Sequence, residues 1–384
     1  MKICIATGTR AEYGLLKPLI EQISIDDNYT LQLLVTGAHL SPEFGLTYQQ
    51  IEADGYKIDA KVEMLLSSDT AEGITKSMGL GIIGFADTLK LLTPDLLVIL
   101  GDRYEMLALA STALIFRIPI AHIHGGELTE GAYDDAIRHA ITKMSALHFT
   151  STEAYRQRVI QLGEQPDRVY NVGAIGLDNF QSLKLLTRNE LEEELNIKFY
   201  QFNYLVCFHS ETLSNYSVET QFNELLQAID TQIDSFFIFT KANADTNGRI
   251  INQMMEEYVM KHPEKSALFS SLGTLRYLSV MKQVNAVVGN SSSGIVEAPT
   301  IPTATINIGY RQNGRIQVDS IIDCRADKED IIKAFQKVNS VEFRKITETV
   351  INPYGKGNTS TLIMKILRSL SSEVLSHKTF FDLL

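Results

Sequence analysis

The chain has 384 residues, 45% of them hydrophobic, and this length exceeds what one hydrophobic core usually organises, so we expect two domains. Its 35 Lys and Arg residues are outnumbered by 46 Asp and Glu, and the net charge of −11 argues against a nucleic-acid or an anionic-membrane partner. An anionic small ligand is not excluded, because a few Arg side chains and helix N-termini can form a local positive site.

The location of the protein is indicated by its N-terminus and its cysteines. The run from Met1 to Ala6 already has a strand pattern, so we expect no signal peptide. The longest apolar stretch, from Met106 to Phe116, is too short to span a membrane. The three cysteines are far apart and show no CxxC spacing, so we expect reduced thiols in a cytoplasmic protein. They are Cys4, Cys207 and Cys324.

In chain order, short apolar runs of strand length alternate with longer segments whose apolar residues recur every three or four positions. This alternation predicts an α/β fold in which helices cover parallel strands. The strands predicted in the first half are 2–6, 31–36, 95–100, 118–123, 147–150 and 169–172. The pattern then restarts, with strands predicted at 204–208, 236–240, 267–269, 286–288, 303–308 and 320–323.

The restart predicts two Rossmann-like domains, at 1–175 and 176–359, with the charged segment 176–202 containing the crossing between them. In doubly wound folds a ligand binds outside the carboxyl ends of the strands, so we expect it in the cleft between the domains. The motifs that follow all stand at such strand ends.

The first motif, Gly8-Thr9-Arg10-Ala11-Glu12-Tyr13-Gly14, follows the first strand and opens a helix. Free amides at a helix start and the Arg10 guanidinium suit an anion. An ordinary strand-to-helix turn with a solvated Arg10 is the alternative. The motif has neither the GxGxxG spacing nor the Walker pattern, so NAD and ATP are not indicated and no cofactor is expected.

A second motif, Gly101-Asp102-Arg103-Tyr104-Glu105, follows the apolar strand at 95–100. A carboxylate at the position of Asp102 can act as a base in a cleft, or it can cap the next helix. The sequence leaves both interpretations open.

The densest group of polar residues is His122-Ile123-His124-Gly125-Gly126-Glu127, followed by Asp134-Asp135 and Arg138-His139. Two His at a spacing of two lie on one face of a strand, and with Glu127 they resemble a metal site. The paired Gly residues instead suggest close approach of the backbone to a ligand, and His124 with one of the acids can form an acid/base set. No distant Cys or His completes a metal set at an obvious spacing, so no metal is expected.

Two strand ends in the second half carry related signals. They are Phe208-His209-Ser210-Glu211-Thr212 and Gly289-Asn290-Ser291-Ser292-Ser293-Gly294. Hydroxyls and free amides at a helix start suit a phosphate, and a flexible Ser/Gly linker is the alternative. Glu297, one turn into that helix, can accept hydrogen bonds from two ribose hydroxyls, or it can be a first-turn carboxylate favoured by the helix dipole.

Nine segments in this order resemble the hydrolysing UDP-N-acetylglucosamine 2-epimerases of bacterial sialic-acid pathways, over nearly the whole chain. They are GTRAEYG, TGAHL, LGDRYE, HIHGGE, IRHAITKMS, VIQLGE, FHSETL, GNSSSGIVEAP and INIGYRQNGR. The resemblance implies a glycosyltransferase-B fold of two Rossmann-like domains, with a C-terminal helix at about 360–384 that packs back on the first. It also implies a UDP-amino-sugar substrate, UDP as a product, and a homodimer or homotetramer.

The resemblance further implies roles for individual residues. The implied catalytic residues are Asp102, His124, Asp134 and His209. The implied substrate contacts are made by Arg10, His39, Glu127, His209, Ser291, Ser292, Glu297 and Arg311. The implied reaction removes the C2 proton and releases UDP to give a 2-acetamidoglucal, to which water adds to yield the free manno-configured sugar. Some relatives have Glu in place of His124, so its role as base, acid or orienting group stays open.

The segment Lys61-Val62-Glu63-Met64-Leu65-Leu66-Ser67-Ser68-Asp69-Thr70 resembles the branch that makes the legionaminic-acid precursor. We therefore favour UDP-N,N'-diacetylbacillosamine over UDP-N-acetylglucosamine as the substrate. The chain departs from many relatives at Ser210, where they have Pro. It lacks the GTRPE Pro and the Arg pair of the non-hydrolysing epimerases, which favours hydrolytic release.

Four alternatives remain open at this point. They are a non-hydrolysing epimerase, a glycosyltransferase of the same fold, a UDP-sugar sensor without activity, and a metal-dependent hydrolase built on His122, His124 and Glu127.

Overall fold

The computed structural model describes residues 1–66, 68, 70–214, 216–242, 246–370, 375 and 378–383. The chain forms two compact units. The first comprises Met1–Glu127, Asp134–Ser182 and Tyr354–Leu384, and the second comprises Leu128–Tyr133 and Leu183–Pro353. The domain boundaries at 175/176 and 359/360 stay a prediction. Ser67 and Asp69, in the segment on which the substrate prediction depends, lie outside the described residues.

The first unit is built on a parallel sheet whose seven strands, over the residues described, have the order β3-β2-β1-β4-β5-β6-β7. The strands are β1 (Lys2–Thr7), β2 (Thr30–Thr36), β3 (Ala60–Val62), β4 (Leu96–Leu100), β5 (Ile120–Ile123), β6 (Leu147–Thr150) and β7 (Val169–Asn171). Six of them confirm the predicted strands. The edge strand β3 was not predicted, because three residues are too few to show a pattern.

Helices cover both faces of this sheet, since Ile3 and Ile5 pack in one buried cluster while Cys4 and Ala6 pack in another. The helices are α1 (Arg10–Ser24), α2 (Tyr48–Ala53), α3 (Ala71–Leu92), α4 (Tyr104–Ile115), α5 (Asp134–Met144), α6 (Glu153–Gln161) and α7 (Asp178–Ser182). None of the helices in the described part of the chain is long and apolar enough to cross a bilayer.

The second unit repeats this architecture, with six parallel strands among its described residues in the order β10-β9-β8-β11-β12-β13. The strands are β8 (Phe202–Cys207), β9 (Ser235–Thr240), β10 (Ser266–Phe269), β11 (Ala286–Gly289), β12 (Ala304–Ile308) and β13 (Ile321–Cys324). The helices are α8 (Arg188–Leu195), α9 (Val218–Asp230), α10 (Gly248–Lys261), α11 (Gly273–Gln283), α12 (Ser293–Val296), α13 (Lys328–Val338) and α14 (Val341–Thr349). All six strands confirm predicted ones.

The chain returns to the first unit in α15 (Thr359–Ser369). The Asp178 carboxylate accepts hydrogen bonds from the backbone N–H groups of Thr359 (2.8 Å) and Ser360 (2.6 Å), and so caps this helix from a distant part of the sequence. The helix predicted over about 360–384 is too long, because α15 ends at Ser369 and residues 378–383 are not helical. Residues 371–374, 376–377 and 384 of that prediction lie outside the described residues.

A buried ionic cluster anchors the C-terminal segment. The Glu164 side chain is 3% exposed, and its carboxylate lies 2.7 Å from Lys378 Nζ, 2.9 Å from Lys143 Nζ and 3.0 Å from His148 Nε2. Lys378 also donates to the backbone carbonyls of Lys143 (2.5 Å) and Ser145 (2.7 Å), at the C-terminus of α5. A cation at the C-terminus of a helix is favourable, so Lys378 both caps α5 and balances the negative charge of Glu164.

We expect Lys378→Met to lower the free energy of unfolding at pH 7 by about 1–3 kcal/mol, because a buried carboxylate loses one of its two lysine partners. Burial raises the pKa of Glu164, but the hydrogen bond with His148 and the two lysines outweigh it, so that the net pKa lies below the ordinary 4.5. A lowered carboxyl pKa stabilises the fold above the unfolded-state pKa, and this contribution disappears as the pH falls through the folded-state value.

Urea unfolding of the wild type and Lys378→Met across pH 7 to 3.5 would measure this effect. The difference between the two proteins should shrink as the pH drops below 4.5. Lys90→Met, at an exposed position of α3, is the matched control and should change stability little at any pH. A difference that stays constant with pH would contradict the role given to Glu164.

Candidate active site

An ion pair between Asp102 and Arg138 lies at the carboxyl end of the first sheet. Asp102 follows β4 and its side chain is 25% exposed, whereas the Arg138 side chain, on α5, is 2% exposed. Arg138 Nη1 also donates to the carbonyl of Glu127 at 2.9 Å. The N-cap residue of α4 is Arg103 rather than Asp102, so the pairing with Arg138 replaces the helix-capping alternative for Asp102. The ion pair fixes the orientation of the Asp102 carboxylate.

Asp134 is the first residue of α5 and Asp135 is the second. Carboxylates in the first turn of a helix are stabilised by its dipole. Residues four positions apart lie on one face of a helix, so Asp134 shares a face with Arg138, the partner of Asp102. Both predicted catalytic acids are therefore linked to α5, Asp134 as its first residue and Asp102 through its ion pair with Arg138.

His124 and Glu127 form a second polar pair in the first unit. The backbone N–H of Ile175 donates to His124 Nε2 at 3.1 Å, so a neutral His124 carries its proton on Nδ1. That nitrogen lies 3.6 Å from Glu127 Oε1, which also accepts from Ser151 Oγ at 2.6 Å. Glu127 is 2% exposed. Because both ring nitrogens face protein atoms, this geometry favours the orienting role for His124 over the acid and base roles.

The metal-site interpretation of the same motif required two His side chains on one strand face. Strand β5 ends at Ile123, and His124 has a left-handed backbone with φ of 67°, so this part of the prediction is wrong. His122 instead contacts the carbonyl of Gly101 and the hydroxyl of Thr142. Among the described residues, no group of three or more His, Cys, Asp or Glu side chains is placed to hold a metal ion.

The paired glycines of this motif approach the protein itself. A Cβ on Gly125 would lie 2.9 Å from Thr142 Oγ1. Gly126 has φ of 80°, and its Cβ would lie 2.5 Å from the carbonyl oxygen of Tyr155. A side chain therefore does not fit at either position, for reasons of packing and backbone conformation. These glycines therefore allow close contact with the protein's own atoms, and close approach of the backbone to a ligand stays a prediction.

The first motif forms a capped helix start. Thr9 and Glu12 make a capping box, in which the Glu12 carboxylate accepts from the backbone N–H groups of Gly8 (2.6 Å) and Thr9 (3.2 Å). Burial raises the pKa of Glu12 to about 7. Arg10 is partly exposed at the first position of α1. The capping box fixes the turn in which Arg10 lies.

His39 is fully buried beside this turn. Its Nε2 lies 3.0 Å from Thr7 Oγ1 and its Nδ1 lies 2.8 Å from Thr47 Oγ1. Burial lowers its pKa to about 4, so the ring is neutral at physiological pH. The predicted contact between His39 and the substrate stays a prediction, and the geometry favours a supporting role for this residue.

Asn290 organises the carboxyl end of the second sheet. Its side chain makes two hydrogen bonds with the backbone of His209, one from the N–H (2.7 Å) and one to the carbonyl (2.8 Å). The backbone carbonyl of Asn290 accepts hydrogen bonds from Arg311 Nη1 (3.2 Å) and Gln312 Nε2 (2.7 Å). Asn290 is fully buried. It therefore joins the loops after β8, β11 and β12, which carry the predicted UDP contacts His209 and Arg311.

Glu211 is a second link that the sequence analysis did not single out. Its Oε1 accepts from the backbone N–H groups of Tyr310 (2.6 Å) and Arg311 (3.1 Å). A Cβ on Gly309, which has φ of 80°, would lie 2.1 Å from the same oxygen. Asn290 and Glu211 both belong to the motifs quoted above. Their partners are distant in sequence, since His209 is 81 positions from Asn290 and Arg311 is 100 positions from Glu211. Nothing local in the sequence indicates such pairing.

The serine-rich turn after β11 leads into α12, which has only four residues. Ser291 and Ser292 precede this turn of helix. Glu297, which was expected one turn into the helix, is its C-cap residue. The Ser293 hydroxyl lies 2.5 Å from the Tyr277 hydroxyl and 3.1 Å from that of Ser291. The turn packs tightly, because a Cβ on Gly294 would lie 2.7 Å from Thr305 Cγ2. It is not a flexible linker.

Comparison with known proteins matches residues 21–368 to the UDP-N-acetylglucosamine 2-epimerase family. The chain is also 45% identical, over 100% of its length and 99% of the relative, to a protein of Campylobacter jejuni named GDP/UDP-N,N'-diacetylbacillosamine 2-epimerase (hydrolyzing). The chain belongs to the UDP-N-acetylglucosamine 2-epimerase family. Within this family it is an enzyme of the hydrolysing UDP-sugar 2-epimerase type, which confirms the resemblance found in the sequence.

Further family members agree in length and fold. The polysialic acid biosynthesis protein P7 of Escherichia coli is 38% identical, over 100% of this chain and 97% of the relative. The crystal structure of the UDP-GlcNAc 2-epimerase from Neisseria meningitidis matches with a TM-score of 0.81 at 19% identity, over 96% of this chain and 100% of that one. The structural match confirms the predicted fold class of two parallel-sheet α/β domains.

Proposed function

We propose that the protein hydrolyses UDP-N,N'-diacetylbacillosamine to UDP and 2,4-diacetamido-2,4,6-trideoxymannose, for nonulosonic acid biosynthesis. The observation that carries this proposal is the full-length 45% identity to the Campylobacter jejuni protein, whose name specifies the diacetylbacillosamine sugar and the hydrolysing reaction. A 32% identical relative from Legionella pneumophila is named UDP-N,N'-diacetylbacillosamine 2-epimerase (hydrolyzing), over 98% of both chains. UDP-N-acetylglucosamine is the second candidate substrate.

The proposed reaction has two steps. In the first, a base removes the C2 proton while the bond between C1 and the diphosphate oxygen breaks, so that a C1–C2 double bond forms and UDP leaves. In the second, water adds across this double bond and places a hydroxyl at C1 and a proton at C2. This proton arrives on the face of the sugar opposite to the one from which the first C2 proton was removed. The C2 proton is weakly acidic, so proton removal and stabilisation of the leaving diphosphate must act together.

In the first unit, we assign the proton transfers to Asp102 and Asp134. Asp102 is partly exposed and held by the buried Arg138, so its carboxylate is both accessible and oriented. Asp134 begins the helix that carries Arg138. His124 orients Glu127 through Nδ1, while the amide of Ile175 occupies its other nitrogen. A positioned acid or base of this kind contributes about 10²–10⁴-fold to a rate.

In the second unit, we assign UDP binding to the loops that Asn290 joins. Arg311 and His209 supply donors for the diphosphate. The anion contact predicted for Arg10, in the first unit, stays a prediction. The hydroxyls and amides of Ser291 and Ser292 suit the phosphate oxygens. Glu297 is 8% exposed and remains the proposed acceptor for the ribose hydroxyls. All of these proposed contacts are made by protein groups without a metal ion, so we expect full activity in EDTA.

We also propose that the enzyme works in the cytoplasm as a homodimer or homotetramer. The three cysteines, Cys4, Cys207 and Cys324, are all free thiols, which suits a reducing compartment.

Incubation of the protein with each candidate sugar nucleotide in deuterated water, followed by proton NMR, tests the proposed function. We expect release of UDP and a manno-configured free sugar with deuterium at C2. UDP-N,N'-diacetylbacillosamine, its GDP counterpart and UDP-N-acetylglucosamine are compared, and the highest kcat/KM is expected for the first. A product without deuterium at C2 would exclude the elimination step.

The same assay separates the alternatives. A non-hydrolysing epimerase gives an epimerised UDP-sugar and no free UDP. A glycosyltransferase gives a product only with an acceptor, and a sensor binds UDP without turnover. Loss of activity in EDTA would instead support the metal-dependent hydrolase.

A further inference from the structure

His122 connects the two elements that carry the proposed catalytic acids. It is fully buried on β5, and its Nε2 lies 2.7 Å from the carbonyl oxygen of Gly101, the residue before Asp102. Its Nδ1 lies 3.0 Å from the hydroxyl of Thr142, on the helix α5 that begins at Asp134. One imidazole therefore bridges the turn after β4 and the helix α5.

The chemistry of these partners determines the protonation of the ring. A carbonyl oxygen only accepts, so Nε2 of His122 donates to Gly101, and Nδ1 accepts from the Thr142 hydroxyl. Burial lowers the pKa of His122 to about 3, so the ring stays neutral at physiological pH. With both nitrogens engaged inside the protein, His122 does not exchange protons with a substrate.

The bridge constrains the peptide that leads to Asp102. Gly101 has a left-handed backbone, with φ of 74°, and its N–H donates to the carbonyl of Ile123 at 3.0 Å. Strand β5 thus holds Gly101 at both its N–H and its C=O. Rotation of this peptide would displace the Asp102 carboxylate from Arg138, and a displacement of about 1 Å can cost about 10²-fold in rate.

We propose that His122 is a positioning residue for the epimerase reaction, and that it holds the Gly101–Asp102 turn against α5 so that Asp102 and Asp134 keep their relative geometry. This inference rests on the proposed function and adds a residue that takes no part in the proton transfers themselves.

Steady-state kinetics of three variants test the proposal. His122→Leu keeps a similar volume but removes both hydrogen bonds, and we expect kcat to fall about 100-fold while KM changes less than about three-fold. His122→Gln supplies an amide donor that can reach the Gly101 carbonyl, and its kcat should be about ten-fold higher than that of His122→Leu. Thr142→Val removes only the hydroxyl and should lower kcat about ten-fold.

Ile120→Ala is the matched structural control, because Ile120 is also fully buried on β5 but stands at its amino end, two residues before His122. It should lower the melting temperature without changing kcat. A wild-type kcat in His122→Leu, or equal falls in kcat for His122→Leu and Ile120→Ala, would overturn the positioning role. If His122→Leu does not fold, an unchanged kcat in Thr142→Val overturns it instead. Failure of the proposed function is distinct, because the wild type itself would then release no UDP.

Discussion

Asp102→Asn is expected to lower kcat about 10³-fold while the affinity for UDP stays within about three-fold of the wild type. The carboxylate is proposed to act on the sugar, whereas most of the proposed UDP contacts belong to the second unit. The variant should also be less stable, since Arg138 is almost fully buried and loses one of its two carboxylate partners. Asp134→Asn should cause a comparable loss of kcat with little change in stability.

Asp135→Asn is the matched control for both variants. Asp135 is the neighbour of Asp134 on α5 and lies 3.5 Å from Arg138, but it has no part in the proposed chemistry. Its kcat should stay within about three-fold of the wild type. Initial rates of UDP release and calorimetric titration with UDP would measure the two effects separately. Wild-type turnover in Asp102→Asn or Asp134→Asn would refute the role assigned to that residue.

Asn290→Ala is expected to weaken UDP binding about 10- to 100-fold, which corresponds to about 1.4–2.7 kcal/mol. The substitution removes both hydrogen bonds with the His209 backbone, and with them the link between two loops that carry proposed UDP contacts. Because two partly buried backbone groups of His209 lose their partners, the free energy of unfolding should also fall by about 1–3 kcal/mol.

Asn203→Ala provides a closely matched control for this variant. Asn203 is 2% exposed, and its side chain makes the same pair of backbone hydrogen bonds, from the Tyr200 N–H (2.8 Å) and to the Tyr200 carbonyl (2.9 Å). It stands at the amino end of the same sheet, on β8, away from the proposed UDP loops. A similar loss of stability with unchanged UDP affinity is expected. Equal losses of UDP affinity in the two variants would show that Asn290 acts only through stability.

Much of the fold could be predicted because its signals are local. Every strand predicted from an apolar run is present to within two residues, since a buried parallel strand requires apolar side chains on both faces. The exception, β3, has one charged residue among three and forms through pairing with β2. The C-terminal helix that the resemblance implied over about 360–384 was too long, because α15 ends at Ser369 and residues 378–383 are not helical.

The candidate site was predictable as a set of positions but not as a set of contacts. Asp102 and His124 in the first sheet, and His209 in the second, were found because the strand ends of a parallel sheet meet at one edge of that sheet. Arg138 was visible in its motif, yet its pairing with Asp102, 36 positions earlier, was not. The two glycines were interpreted as allowing close approach of the backbone to a ligand. In the structure, Gly126 is required by its backbone conformation and by the nearby Tyr155 carbonyl.

The sequence by itself determined the α/β class, the positions of the strands, the strand-end motifs and the resemblance to hydrolysing epimerases, because these depend on residue types at fixed local spacing. Only the tertiary structure decided that His124 is bound through Nε2 by the amide of Ile175, that Asn290 supports His209, and that Lys378 reaches Glu164. Each of these contacts joins residues at least 50 positions apart, as in the separation of 51 between His124 and Ile175. Their distances are set by the packing of whole strands and helices, which local periodicity does not encode.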